Sequence, residues 1–251
     1  MLREERLDTI MALLRRENYL TVERLADTLH YSKATVRRDL AQLVTAGLAK
    51  RTFGGVALDG HTKPIMVREH EDVAEKTALC RMAAARICGG DTIFIGGSST
   101  TRQFMRFLSD KKDITVVTTD LSMALALEAL GIRVYAVGGQ LKDGMSIGGF
   151  AMQTVRQMSF DMCFFSASGL SDDGELTVMS EEFGMLMRAV LERTAVRVCL
   201  CTGEKRGRRE FFSLGTLENI DMLVTSRPPE AAWKDHFPAV RYLTDGSQNK
   251  Q

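Results

Sequence analysis

A short stretch of this chain carries far more positive than negative charge. Between Lys33 and Arg51 there are five basic residues and one acid, a local balance of +4 in a chain of net charge +1. Basic side chains gathered on one face neutralise the phosphates of a nucleic acid, whatever the charge of the rest of the protein. The solvated surface of a small helical bundle carries similar charges, so the charge balance alone leaves both interpretations open.

The residues around this segment predict helices joined by a tight turn. A helix from Leu2 to about Arg16 comes first. Thr21 then caps a short helix that ends near Leu29, and Ser32 caps a third helix that Gly47 ends. This is the order of a helix-turn-helix.

The third helix has a polar, basic outer face. Its apolar side chains can face a core while the others stay on the surface. These apolar residues are Ala34, Val36, Leu40, Leu43 and Val44. Two short strands from Leu48 to Val56, around Thr52-Phe53-Gly54-Gly55, predict a wing. Because cap, turn, basic face and wing agree, we expect this segment to bind a double-stranded DNA operator. The residues predicted to contact DNA are Ser32, Lys33, Thr35, Arg37, Arg38, Arg51 and Thr52.

The composition and the hydrophobic pattern of the chain change after residue 57. Residues 58–73 carry Gly60, Pro64 and mixed charges without a clear period, which is typical of a linker. We therefore expect a DNA-binding domain over residues 1–57, a linker over 58–73 and a second domain over 74–251. A chain of 251 residues is long enough for two such domains.

The second domain alternates apolar strands with helices. Strands are predicted at Thr92–Ile95, Ile114–Thr118, Val134–Val137, Met162–Ser166, Val196–Cys201 and Met222–Thr225. Near-continuous apolar strands separated by helices predict a mostly parallel sheet covered on both faces. The fold class is therefore α/β: a winged helix-turn-helix followed by a doubly wound domain.

Small polar residues follow these strands at the edge where parallel sheets bind ligands. The first loop, Gly96-Gly97-Ser98-Ser99-Thr100-Thr101, offers backbone amides, hydroxyls and a helix N-terminus, which suit a phosphate. Each loop taken singly is equally consistent with a tight turn or a helix cap, but their repetition favours a ligand. The residues predicted to line the pocket are Gly97, Ser98, Ser99, Thr100, Thr118, Thr119, Asp120, Gly138, Gly139 and Ser168.

The cysteines and the termini exclude several classes of protein. The five cysteines lie mostly in apolar runs, which suits reduced thiols in a cytosol. Cys199 and Cys201 are too close for the usual zinc spacing, so we expect no metal site and no cofactor. No signal peptide and no apolar run of ~20 residues is present, which predicts a cytoplasmic protein without a membrane partner.

An enzyme acting on a sugar phosphate is the alternative. Asp161, Glu182 and Lys205 could support proton transfer beside the hydroxyl loops, but their spacing does not define an acid-base pair. We therefore expect no enzymatic activity. A third interpretation is a sensing domain that has lost its ligand and responds to a partner protein.

Several motifs together resemble those of the DeoR family of transcriptional regulators. The resemblance begins with Ser32-x-x-Thr35-Val36-Arg37-Arg38-Asp39-Leu40, continues through Gly47-Leu48 and Arg51-Thr52-Phe53-Gly54-Gly55, and extends along nearly the whole chain. It implies a repressor of sugar metabolism whose second domain resembles ribose-5-phosphate isomerases. The resemblance further implies that this domain binds a phosphorylated sugar, which weakens operator binding. Asp161, Glu182 and Lys205 join the predicted effector site on this resemblance.

The chain also departs from the family pattern. The family commonly has Asp-x-Gly-Ser/Thr-Thr after the first strand, whereas this chain has Gly96-Gly97-Ser98-Ser99-Thr100, so an acid is missing. The usual Asp-Ser-Ser-Lys is Thr202-Gly203-Glu204-Lys205, which retains only the lysine. The identity of the effector is correspondingly open. A homodimer or homotetramer is expected, because a helix-turn-helix gains affinity by pairing half-sites.

Overall fold

The computed structural model describes residues 3–17, 19–46, 48–52, 55–57, 65–111 and 113–244, with the backbone alone at residues 50, 52, 66 and 67. The chain divides into two compact units between Arg68 and Glu69. This division lies within the predicted linker, of which residues 58–64 fall outside the described part. The predicted domain bounds at residues 57 and 74 stay predictions.

Helices and a small sheet make up the described part of the N-terminal unit. The helices are α1 (Arg3–Glu17), α2 (Val22–Leu29) and α3 (Lys33–Thr45), followed by the short α4 (Ile65–Arg68). The strands β1 (Tyr19–Thr21), β2 (Lys50–Thr52) and β3 (Gly55–Ala57) form an antiparallel sheet in the order β1-β3-β2. This is a winged helix-turn-helix. The sequence pattern missed β1, which is only three residues long, and the predicted residues Gly47, Phe53 and Gly54 lie outside the described ones.

The core of this unit follows the predicted apolar face, with one exception. Val36, Leu40 and Leu43 of α3 pack with side chains of α1 and α2. Ala34 is exposed, so its placement in the core was wrong. It is the second residue of α3, and Val36 and Leu40 turn another side of the helix inward. Because the Ala34 side chain is small and exposed, another molecule can come close to the helix backbone at this position.

Gly55 allows β3 to pair with β1. A Cβ atom at this position would lie 2.2 Å from the carbonyl oxygen of Leu20. No side chain fits at that distance, so the close pairing of the two strands requires glycine. The second glycine of the Gly54-Gly55 pair is therefore a packing requirement of the wing.

A parallel sheet of seven strands forms the centre of the C-terminal unit. Its strands are β4 (Thr92–Ile95), β5 (Thr115–Thr118), β6 (Arg133–Ala136), β9 (Phe160–Phe165), β12 (Thr194–Cys201), β14 (Met222–Thr225) and β15 (Arg241–Thr244). They lie in the order β15-β14-β12-β9-β4-β5-β6. The chain runs outward from β4 to β6 and then crosses back to β9. The winding therefore reverses between β4 and β9, the point at which such sheets bind ligands.

Helices cover both faces of this sheet. They are α5 (Val73–Ala84), α6 (Met105–Leu108), α7 (Leu121–Ala129), α8 (Gly149–Arg156), α9 (Glu181–Glu192) and α10 (Ala231–His236). One apolar layer includes residues of α8 and α9, and the other includes residues of α5, α6 and α7. The predicted fold class, a winged helix-turn-helix followed by a doubly wound α/β domain, is confirmed.

Two smaller sheets were not predicted. A hairpin of β7 (Gln140–Lys142) and β8 (Met145–Ile147) follows β6, and β10 (Gly169–Leu170), β11 (Glu175–Val178) and β13 (Phe212–Thr216) form an antiparallel sheet. Their strands have two to five residues, too few for a clear alternation of polar and apolar side chains. Within the described residues, no helix is both long and apolar enough to cross a membrane.

Candidate functional sites

The N-terminus of α3 is fixed by a side-chain cap. The backbone N–H of Thr35 donates to Ser32 Oγ at 3.2 Å, and the two hydroxyl oxygens lie 2.9 Å apart. His30, with φ of 56°, and Tyr31 make the turn from α2, and the Tyr31 N–H donates to the Ala26 carbonyl. The cap and the turn together fix the start of α3 directly after the end of α2.

The outer face of α3 is basic and solvent-exposed. Lys33, Arg37, Arg38 and Gln42 are exposed, and Thr35 is partly buried. An α-helix fits the DNA major groove, and the N-terminal residues of a recognition helix reach base edges there. Of the α3 residues predicted to contact DNA, Lys33, Arg37 and Arg38 are therefore accessible to solvent.

A buried ion pair holds α3 against α1. Arg6 Nε lies 2.5 Å from Asp39 Oδ2, a second Arg6 nitrogen lies 3.1 Å from the other carboxylate oxygen, and Asp39 is 1% exposed. The guanidinium also covers the Tyr31 ring at 4.5 Å. The hydrogen bond that Arg6 donates to Asp39 raises the pKa of Arg6. Asp39 therefore positions the basic helix, a role that the charge count could not assign because its partner is 33 residues away.

An open groove runs between α2, α3 and the wing. Glu23, Lys33, Arg37 and Arg51 are among the residues that line it. Lys33 Nζ lies 2.5 Å from Glu23 Oε1. The groove brings Arg51 of the wing together with the start of α3, while for Thr52 only the backbone position in β2 is described.

At the carboxyl edge of the large sheet, a buried lysine joins three loops. Lys205 follows β12, and its Nζ donates to Ser166 Oγ at 2.7 Å and to Thr100 Oγ1 at 3.4 Å. Ser166 follows β9 and Thr100 belongs to the loop after β4, so the three loops meet on both sides of the reversal point. Lys205 is 7% exposed. A buried ammonium group among hydroxyls is suited to an anion.

The loop after β4 is held by its own hydroxyl groups. The Thr101 N–H donates to Ser98 Oγ at 3.0 Å, and Thr101 Oγ1 donates to the Gly96 carbonyl at 2.5 Å. Ser99 and Thr100 are buried in the same loop. Thr118, at the end of β5, donates to the Ile95 carbonyl at 2.7 Å, and its hydroxyl accepts the Asp120 N–H at 3.1 Å.

Arg102 is a central residue that the sequence pattern missed. It makes two hydrogen bonds to Asp120, at 2.7 and 3.2 Å, and a third to Glu69 at 2.5 Å. Burial lowers the pKa of Arg102, but the hydrogen bonds to Asp120 and Glu69 outweigh this effect, and the net shift is upward. Asp120 also caps α7 through the N–H groups of Ser122 and Met123. The local signals in the sequence were limited to an arginine directly after the hydroxyl loop and a cap aspartate.

Three threonine hydroxyls lie buried at the same edge without a hydrogen-bond partner among the described residues. They belong to Thr119 after β5, Thr202 after β12 and Thr225 at the end of β14. An unpaired buried hydroxyl costs about 1–3 kcal/mol, so a bound polar group or water stabilises it. Thr119 was predicted as a pocket residue, whereas Thr225 was not.

The Met145 side chain covers part of the loop after β4. A Cβ atom added to Gly97 would lie 2.5 Å from the Met145 sulfur and 3.2 Å from the Asp120 side chain. The backbone of β8 is also tied to the β5 loop, because the Ser146 N–H donates to the Thr119 carbonyl at 2.8 Å. Gly97 and Asp120 are thus brought together, beneath the hairpin.

Two predicted effector residues, Asp161 and Glu182, contact other partners. Asp161 is at the amino end of β9, where it accepts the Thr92 N–H at 2.8 Å, so its inclusion in this site is corrected. Glu182 pairs with Ser180 at 2.6 Å and lies 3.8 Å from Lys142. The hydrogen bond from Ser180 lowers the pKa of Glu182.

The remaining loop residues have structural surroundings. A Cβ atom at Gly139 would lie 2.6 Å from the Ile147 carbonyl oxygen, so this glycine permits packing of the hairpin. Gly138 is exposed beside the Phe150 ring. The Ser168 N–H donates to the Thr177 carbonyl at 2.9 Å, which begins the antiparallel sheet.

The described residues contain no group of histidines, cysteines and acids that could hold a metal ion. Cys199 and Cys201 are buried, and burial raises the pKa of Cys201 to about 11. Two of the three arginines shortly after Lys205 pair with acids: Arg206 with Glu230, and Arg209 with Asp173.

The fold and the basic helix define a winged helix-turn-helix DNA-binding regulator with an α/β sensor domain. Residues 6–62 match the model of the DeoR-like helix-turn-helix domain, and residues 71–227 match that of the DeoR C terminal sensor domain. The chain therefore belongs to the DeoR family of transcriptional regulators.

Relatives match over nearly the whole chain. The HTH-type transcriptional repressor GlcR of Bacillus subtilis is 30% identical over 94% of this chain and 93% of its own length. The glycerol-3-phosphate regulon repressor of Escherichia coli is 27% identical over 91% of this chain and 93% of its own length. These relatives are regulators, so the protein is a transcriptional regulator and the enzyme alternative is not favoured.

Solved structures match only part of the chain. A D-ribose-5-phosphate isomerase in complex with phospho-erythronic acid is 17% identical and covers 52% of each chain, with a TM-score of 0.40. The eIF2B beta of Chaetomium thermophilum is 14% identical and covers 77% of this chain and 54% of its own, with a TM-score of 0.46.

Proposed function

We propose that this protein is a repressor of carbohydrate-metabolism genes that releases its operator when a phosphorylated sugar binds the C-terminal unit. The observation that carries the proposal is the exposed basic face of α3, capped by Ser32 and flanked by Arg51. GlcR and the glycerol-3-phosphate regulon repressor are repressors by name, which supports the direction of regulation.

The DNA contacts divide between base edges and phosphates. Lys33, Thr35, Arg37 and Arg38 enter or flank the major groove, and Arg51 and Thr52 of the wing contact the backbone. Ser32 caps the helix, and its hydroxyl lies at the surface where a phosphate approaches. Side chains near the N-terminus of such a helix read bases, while basic residues at its margins neutralise phosphates.

Replacing Arg38 with alanine tests this face. Arg38 is exposed, so the variant is expected to fold normally. Loss of a phosphate contact weakens binding to all DNA and flattens the salt dependence by about one unit, whereas loss of a bidentate base contact costs ~1–3 kcal/mol and relaxes sequence choice. Fluorescence anisotropy with an operator duplex over a salt series separates the two. Normal operator binding by the variant would show that α3 is not the recognition helix.

The effector site is the cluster of Lys205, Ser166 and Thr100 with the adjoining loop of Ser98 and Ser99. Its buried ammonium group and converging hydroxyls suit a phosphate, and the unpartnered hydroxyl of Thr119 suits a sugar hydroxyl. The name of the glycerol-3-phosphate regulon repressor refers to a small phosphate ester, which supports this class of ligand.

Arg102 connects the loop of this site to the predicted linker through its hydrogen bond to Glu69. Arg102 lies in a 3-10 turn, Thr101–Phe104, that directly follows Ser98, Ser99 and Thr100, and its third hydrogen bond goes to Glu69. Glu69 is the first residue after the division between the two units. A ligand that shifts the loop therefore changes the position of Arg102 and, through Glu69, the segment that continues toward the DNA-binding unit.

The regulator works as a homodimer or homotetramer, because paired half-sites double the contacted length of DNA. Its location is the cytoplasm, where an operator is accessible.

A further inference from the structure

An exposed ion pair lies on the basic face that is proposed to bind DNA. Glu23, the second residue of α2, holds its carboxylate 2.5 Å from Lys33 Nζ, at the first residue of α3. The Glu23 side chain is 72% exposed and that of Lys33 is 53% exposed. The pair therefore lies on the surface and not in the core that supports the two helices.

Glu23 stands alone as an acid among cations. It is the one acid among the described residues that line the groove between α2, α3 and the wing, where Lys33, Arg37 and Arg51 supply the positive charge. The hydrogen bond and charge of Lys33, and then the charge of Arg37, lower the pKa of Glu23. The carboxylate therefore stays ionised at neutral pH, beside the position where a DNA phosphate is expected.

A negative charge in this position weakens binding to any DNA. It repels phosphates, and it occupies Lys33 at the N-terminal end of α3, the end from which a recognition helix reaches base edges. An exposed ion pair is weak, however, and a base-edge acceptor in the right position can replace the carboxylate as partner of the lysine. A lysine contacts the acceptor atoms of guanine in this way.

We propose that Glu23 is a specificity-determining residue. Its ion pair keeps Lys33 from contacting phosphates non-specifically, and Lys33 leaves this pair only to contact a matching base. This inference rests on the DNA-binding face proposed above. Specificity is a difference between affinities, and weakening the binding to wrong sites is one of its two sources.

The Glu23→Gln variant tests this role on a duplex of random sequence. Lys33 then becomes available for one more phosphate, so the variant binds the random duplex more tightly, and the plot of log K against log salt becomes steeper by about 0.9. The matched control is Asp27→Asn, which removes the same charge from an exposed position of the same helix. The control is expected to keep the wild-type slope. An equal effect of both variants, or no effect of Glu23→Gln, would overturn the proposal.

A double-mutant cycle tests whether Lys33 makes the additional phosphate contact in Glu23→Gln. Lys33→Gln combined with Glu23→Gln is expected to return the steeper slope on random DNA to the wild-type value, because the additional phosphate contact is made by Lys33. A flattening by about 0.9 in the single Lys33→Gln variant would show that Lys33 contacts phosphate despite Glu23, and would also overturn the proposal. The wild-type slope tests the DNA-binding face itself, and the differences between variants test the role of Glu23.

Discussion

Buried charges in this protein serve to join distant segments. Asp39 ties α3 to Arg6 of α1, and Arg102 ties the loop after β4 to Asp120 and Glu69. Both arginines are nearly inaccessible to solvent. Removing one partner of such a pair leaves the other charge buried and unpaired, which destabilises far more than the intact pair stabilises.

Replacing Arg102 with methionine is expected to destabilise the C-terminal unit by about 3–5 kcal/mol, because Asp120 stays buried without its partner. Urea unfolding followed by the fluorescence of Trp233, the single tryptophan, reports on this unit. The control is Arg209→Met, whose ion pair with Asp173 is half exposed and whose loss is expected to leave the unfolding midpoint nearly unchanged. Equal midpoints for the two variants would contradict the role of Arg102.

The cysteines predict a simple labelling pattern. Burial raises the pKa of Cys163 to about 12 and that of Cys201 to about 11, and the thiols of Cys80 and Cys199 are also buried with raised pKa values. The reactive form is the thiolate, so only the exposed Cys88 is expected to react with a thiol reagent in the native protein. Counting labelled thiols before and after denaturation checks this. Labelling of the native Cys88→Ser variant would contradict the buried placement of the others.

Local elements were predicted where the signal lies within a few residues. The Ser32 cap, the turn and the polar face of α3 are consecutive in sequence, and the strand-end loops follow from the alternation of strands and helices. Contacts between distant residues left no such signal: β1 pairs with β3 across 34 residues or more, and Lys205 reaches Ser166 across 39. The family resemblance supplied Lys205.

The error at Asp161 has a physical explanation. The predicted strand began at Met162, so the residue before it belongs to the amino edge of the sheet. The ligand edge of a parallel sheet is the carboxyl edge. The order of motifs along the chain does not distinguish these edges, whereas the position relative to the strand does.

At the scale of an element, Gly55 is the most sensitive position of the wing. Gly55→Ala places a methyl group 2.2 Å from the Leu20 carbonyl oxygen, which separates β1 from β3. We expect a loss of stability of at least about 1–3 kcal/mol and a loss of DNA affinity, since Arg51 lies in the neighbouring strand. Thermal unfolding and DNA binding measure the two effects.

Gly149→Ala is the control for this substitution. Gly149 begins α8, and a Cβ atom there meets nothing within 4 Å. Alanine favours a helix more than glycine does, so no loss of stability is expected. If Gly55→Ala were tolerated equally well, the wing would not depend on the close approach of β1 and β3.

At the scale of the whole molecule, the two units divide recognition and sensing between them. The basic face belongs to residues before Arg68, and the Lys205 cluster belongs to residues after Glu69. The sequence predicted this division because both patterns are local to their own part of the chain. It did not predict Arg102, which links the loop of the sensor to the residue that follows the division.

The most direct test of this account measures operator release by the full chain. An operator duplex selected by the wild-type protein from a random pool is titrated with triose, pentose and hexose phosphates. We predict that at least one of them weakens the wild-type complex, and that Lys205→Met binds the same operator but responds to none. A full response in Lys205→Met, or no response of the wild-type protein to any sugar phosphate, would contradict the account.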